Sequence, residues 1–65
     1  MKQTTLAKLL RIYQGLQRLA DELYVSSENE MDNGNFDDAS LLASQADKLY
    51  VEAENLMSLI TELEE

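Results

Sequence analysis

Carboxylates are the most plentiful reactive groups in this chain, and their spacing decides what they could do. Asp21-Glu22, Asp37-Asp38 and Glu64-Glu65 are sequence neighbours. On a helix, adjacent side chains point about 100° apart, so no such pair converges on a substrate as an acid–base dyad must. Glu28, Glu30 and Asp32 could gather a hard cation near a turn, but the segment lacks the glycine and closing glutamate of a calcium loop. Histidine and cysteine are absent, which removes the common zinc sites, disulfides and the cysteine or histidine nucleophile arrangements. No glycine-rich phosphate loop or nucleophile elbow is present. The expectation is a non-enzymatic protein with no catalytic residues, no metal, no cofactor and no small-molecule substrate.

The bases offer a second chemistry. Lys2, Lys8, Arg11 and Arg18 all precede the first acid, Asp21, and after that point Lys48 is the only base among thirteen acids. The formal charge of −8 argues against nonspecific DNA binding but leaves room for a local cationic strip. Lys8, Arg11 and Arg18 share the outward face of a first helix, with Gln14 and Gln17 at its margin. Paired RNA is read by shape and phosphate, so a short basic, amide-rich strip of this kind could contact it. The competing reading is a solvated face that balances nearby acids.

Whatever these side chains do, they are carried on two helices. The second is the more regular. Ala39, Leu42, Ala46, Leu49, Ala53, Leu56, Ile60 and Leu63 follow one another in steps of three and four, a seam of alternating alanine and leucine that lets a facing helix approach closely. Ala43, Tyr50 and Met57 form a row beside it. The first helix carries Leu6, Leu9, Tyr13, Leu16, Ala20 and Leu23 in the same rhythm, flanked by Leu10, Ile12, Leu19 and Tyr24. Thr4 or Thr5 is its expected cap. Gly15 lies inside it, away from the seam, at a cost of about 1 kcal/mol relative to alanine. Asp32-Asn33-Gly34-Asn35 is the one strong turn signal, with Gly34 suited to a left-handed helix end, Asn35 to the next cap, and Asp37 and Asp38 to the first turn of helix 2.

The fold class expected is therefore all-α: a single domain over residues 1–65, an antiparallel two-helix hairpin with helix 1 at about 4–31, a turn at 32–35 and helix 2 at about 36–63. Folding about Gly34 sets residues opposite one another when their numbers add to about 68, which mostly places large residues against small ones, Leu16 against Ala53, Ala20 against Leu49 and Leu23 against Ala46, with Tyr13 against Leu56 the exception. No internal repeat, low-complexity tract or linker is read.

One interface cannot cover the whole apolar stripe. A chain of 65 residues without disulfide or metal also struggles to bury enough surface to offset its conformational entropy. Leu10, Ile12, Leu19, Tyr50, Met57 and Leu59 are accordingly the expected partner or dimer interface, with two hairpins pairing into a four-helix bundle or one hairpin docking on a partner helix.

The length, the lack of proline, the near-symmetric hairpin and the alanine–leucine seam resemble the Rop family of plasmid copy-number regulators, dimeric four-helix bundles that bind paired RNA loops through helix 1. That resemblance implies Lys8, Arg11, Gln14 and Arg18 as RNA contacts. Gly34, Phe36, Ala39 and Ala46 resemble the second-helix opening of a tetratricopeptide repeat. The size and shape are also similar to the helical-hairpin co-chaperones of type III secretion needle subunits.

The function expected is a protein–protein interaction module such as a small regulator, anti-activator or co-chaperone. A Rop-like RNA-binding regulator is the alternative. No apolar run approaches the roughly 20 residues of a membrane span, and Lys8 and Arg11 interrupt Leu6 to Ile12 where a signal peptide would be apolar. The expected location is cytoplasmic, without membrane contact.

Overall fold

The computed structural model describes residues 1–64 and contains two helices, α1 (Gln3–Asp32) and α2 (Phe36–Glu64), packed against each other as a hairpin. The molecule is long and thin, with principal extents of 48 × 16 × 9 Å. Among the described residues no helix is long and apolar enough to cross a membrane.

The N-terminal cap differs from expectation. α1 begins at Gln3, ahead of both threonines, with Lys2 at the cap position and no side-chain hydrogen bond there; the Lys2 carbonyl accepts from the Leu6 amide at 3.0 Å. A threonine caps only if it stays extended. Here nothing holds Thr4 or Thr5 out of the helix, and both are wound into its first turn.

The turn is closed by backbone geometry that only glycine adopts freely. Gly34 has φ +81°, and its amide bonds the Met31 carbonyl at 3.1 Å while the Asn35 amide reaches back to Glu30 at 2.8 Å. This is the paired bonding of a left-handed helix end. The residues usually in apolar contact at such an end are here Glu30 and Asn35, and they hydrogen-bond instead, Asn35 Nδ2 to Glu30 Oε2 at 2.7 Å. Asn35 thus spends its side chain on the preceding helix, while its carbonyl accepts the first α2 bond from Ala39 at 2.9 Å. Asp37 and Asp38 occupy the first turn of α2, where the helix dipole favours acids.

Alanines form the core. Ala20, Ala39, Ala46 and Ala53 are fully buried and Ile60 nearly so, although each has only one neighbouring helix to cover it. The backbones must therefore lie close together. Near the turn the approach is direct: the buried Ser27 hydroxyl crosses from α1 to the Ala39 carbonyl of α2 at 2.7 Å, using the second lone pair of an oxygen already engaged in helix bonding. The residue numbers of that pair add to 66, and those of two longer contacts, Tyr24 with Asp47 and Tyr50 with Asp21, add to 71. Side chains lean toward their own N-termini, so in an antiparallel pair long ones meet at a higher sum than the backbones do. The values bracket the 68 expected from the turn.

Candidate functional site

The two sides of the alanine seam present different surfaces. On one side, Tyr24 and Tyr50 stack across the helices with ring centroids 5.6 Å apart. Each phenol donates to an aspartate on the opposite helix, Tyr24 to Asp47 and Tyr50 to Asp21. The two bonds are reciprocal, because each aspartate stands three residues before the tyrosine of its own helix. Tyr13 lies farther along this side and accepts from Gln17 Nε2 at 2.9 Å. Hydrogen bonding to Asp47, then desolvation, then the nearby negative charges push the Tyr24 phenol up to about 12. Tyr50 is raised from the ordinary 10.0 mainly by its bond to Asp21, then by desolvation and the Asp21 charge. Aromatic rings cover this side of the seam, and their polar ends are satisfied.

The opposite side is open. At helical spacing it carries Leu9, Leu16 and Leu23 from α1 and Leu42, Leu49 and Leu56 from α2, all only half-buried. The alanines bring the backbones so close that leucine cannot fit between the axes, and the leucines lie along the lip of the seam. Ile12, Leu19 and Leu59 stand beside them, 54 %, 52 % and 47 % exposed. Leu19, Leu23 and Leu49 line one shallow groove with Glu22 and Ser26 at its edge.

The six residues expected at a partner interface are thus divided between the two sides. Ile12, Leu19 and Leu59 belong to the leucine face. Tyr50 and Met57 lie on the tyrosine side, where both are half-buried within the hairpin, and Leu10, two heptads before Tyr24, borders the same side. Lys8, Arg11, Gln14 and Arg18 are all exposed on the outer surface of α1, away from the seam. Among the described residues no three acids gather to hold a metal ion.

The tyrosine–aspartate pairs also expose a repeat that a search for seam periodicity passes over. Ala20-Asp21-x-Leu23-Tyr24-Val25-x-x-Glu28-Asn29-x-Met31 recurs 26 residues later as Ala46-Asp47-x-Leu49-Tyr50-Val51-x-x-Glu54-Asn55-x-Met57. The expectation of no internal repeat is corrected accordingly. The repeat gives the hairpin an approximate twofold axis between the stacked tyrosines, and that symmetry makes the two phenol–carboxylate bonds reciprocal.

The thin two-helix shape leaves the hairpin with more surface than a compact body of its mass. The chain exposes 4878 Å², whereas a compact protein of 7.4 kDa exposes about 4,200 Å². The excess approaches the roughly 800 Å² that each partner contributes to a standard protein interface.

Compared with protein-family models, with curated proteins and with solved structures, the chain matches none. Its likeness to Rop, to tetratricopeptide repeats and to the secretion co-chaperones is one of size and pattern.

Proposed function

We propose that this hairpin is a non-enzymatic protein–protein interaction module, acting as half of a four-helix bundle whose other half covers the leucine face. The observation that supports this reading is the contrast between the two sides of one seam. The tyrosine side is bridged from helix to helix by stacked rings and hydrogen-bonded phenols, while the other carries two rows of half-buried leucines with exposed Ile12, Leu19 and Leu59 beside them. Apolar contact on such a face draws its free energy from removing that surface from water, at about 25 cal/mol per Å² before the costs of association. A small regulator, anti-activator or co-chaperone is the kind of protein that works this way.

The test compares charges placed on different surfaces. Leu19→Glu with Leu59→Glu puts acids on the leucine face at two exposed positions, so the hairpin still folds and association is lost. Val25→Glu with Val51→Glu places them on exposed outer positions, and association persists. Equal behaviour of the two double variants in sedimentation and in partner capture overturns the reading.

A second reading, an RNA-binding regulator, is favoured by the exposure of Lys8, Arg11, Gln14 and Arg18 on one surface of α1. Replacing Lys8, Arg11 and Arg18 by glutamine would then abolish binding to paired RNA, binding that in the parent weakens steeply with salt. On the leading reading the same change leaves partner binding intact.

A further inference from the structure

We infer that the leucine face is covered by a second copy of this chain, related by a twofold axis through Leu16 of α1 and the segment between Leu49 and Leu56 of α2, with the turns at opposite ends of the bundle. The inference rests on the interaction-module reading and adds to it the identity of the partner and its orientation.

The row of α1 that faces the opening is self-complementary. At intervals of seven it reads Lys2, Leu9, Leu16, Leu23, Glu30. Laid antiparallel on itself about Leu16, it sets Leu9 against Leu23 of the other copy and Lys2 against Glu30. The one polar residue that interrupts the leucines thus meets the one base, and it does so twice in the dimer. On the adjoining row Ile12 and Leu19 add to 31 rather than 32, one residue from the same register, so these two apolar side chains also come near each other across the axis. A twofold interface requires this reciprocity, residue i against j and j against i.

α2 supplies an independent check. Its leucine row is Leu42, Leu49, Leu56 and Leu63, and the only antiparallel register that keeps all four in apolar contact pairs Leu42 with Leu63 and Leu49 with Leu56. The centre of that register lies between residues 52 and 53. In the hairpin, residues at one level have numbers that add to about 68, the value expected from the turn at Gly34 and bracketed by the Ser27–Ala39 contact at 66 and the tyrosine–aspartate contacts at 71. Leu16 on α1 therefore stands level with residues 52 and 53 on α2. One axis satisfies both helices, although nothing in the first row determines the second. The axis also falls near the middle of both helices, so the hairpins overlap along almost their whole 48 Å length.

Charge selects this orientation over the alternative twofold, in which both turns share one end. Glu28, Glu30, Asp32, Asp37 and Asp38 crowd the turn end of each hairpin, and a shared end would bring two such clusters together. Opposed turns separate them and lay the basic first half of α1 along the acidic second half of its partner.

The chain contains no cysteine, so introduced thiols report the axis directly. Leu16→Cys should form a disulfide-linked dimer under mild oxidation. Leu9→Cys and Leu23→Cys should each stay unlinked alone, and should link to one another when the two variants are mixed and refolded together. Circular dichroism confirms that each remains helical, and the mixed pair is an independent reading should Leu16→Cys fold poorly. A dimer in which neither combination links overturns the axis but leaves the leucine-face interface standing. A wild-type chain that sediments as a folded monomer overturns the second copy. In that event, partner capture that is lost in Leu19→Glu with Leu59→Glu still supports the module, and capture that persists in that variant removes it too.

Discussion

Ala46→Leu tests the close approach on which the two-faced hairpin depends. Ala46 is fully buried although only one other helix packs against it, so its methyl group fills the space between two backbones. Leucine adds three carbon atoms there. At a fully buried position between two helices, α1 must move outward or the side chain must leave its preferred rotamer to accommodate them. Overpacking of this kind costs about 1–3 kcal/mol. Chains of this length are stabilised by only about 0.05–0.15 kcal/mol per residue, so the change removes a large part of the total. At roughly 4–8 °C per kcal/mol for a domain of this size, the midpoint should fall by about 4–24 °C. Thermal denaturation followed at 222 nm measures it, at one fixed protein concentration because association would shift the midpoint by mass action. Ser44→Leu, two residues away and exposed, supplies the control and should shift stability by less than about 0.5 kcal/mol. Ala46→Leu melting at or above the parent would refute the close-approach seam, and with it the reason the leucines are left at the surface.

The tyrosine pairs predict an alkaline transition. Both phenols hold their protons more tightly in the folded chain than the ordinary 10.0 implies, so their contribution is complete below pH 10 and is lost as pH rises, for Tyr24 through about 12. Tyrosinate absorbance should show two phenols ionising late, and Tyr24→Phe with Tyr50→Phe should remove both the late ionisation and its share of the alkaline loss of stability. The glycines should respond in opposite directions. Gly34→Ala must hold φ +81° and should cost about 1–2 kcal/mol. Gly15→Ala meets no atom within 4 Å and should gain about 0.5–1 kcal/mol from helix propensity. Denaturant unfolding of the two variants checks both signs, and a stabilised Gly34→Ala would contradict the turn geometry.

The hairpin was legible because its determinants are local and periodic. Three- and four-residue spacing marks both seams, and Asp32-Asn33-Gly34-Asn35 is the one segment able to close a helix and start another. What periodicity does not contain is how far a row is buried. Alanine and leucine look like equal partners in the seam, yet the close backbone approach that alanine permits is what displaces leucine to the lip. The same limitation placed Leu10, Tyr50 and Met57 with Ile12, Leu19 and Leu59. A flat stripe has no sides, whereas the tyrosine contacts divide the folded one in two. The repeat was readable all along, but only by sliding α1 along α2 by 26 residues, because the turn resets the seam's phase and hides the match from a periodic search. Thr4 and Thr5 were misread for another reason: a capping residue type acts only where the chain enters the helix, and here it enters earlier.

Solvent access to the leucine methyl groups tests the central claim most directly. In an isolated hairpin Leu9, Leu16, Leu23, Leu49 and Leu56 are all half-exposed, and a soluble paramagnetic probe would broaden their methyl resonances nearly as strongly as those of the exposed Val25 and Val51. If the face is covered by another hairpin, these leucine methyls are shielded from the probe in the native protein, Leu16 most completely, and become accessible in Leu19→Glu with Leu59→Glu. Leucine methyls as accessible as Val25 and Val51 in the fully helical wild-type chain would contradict the account.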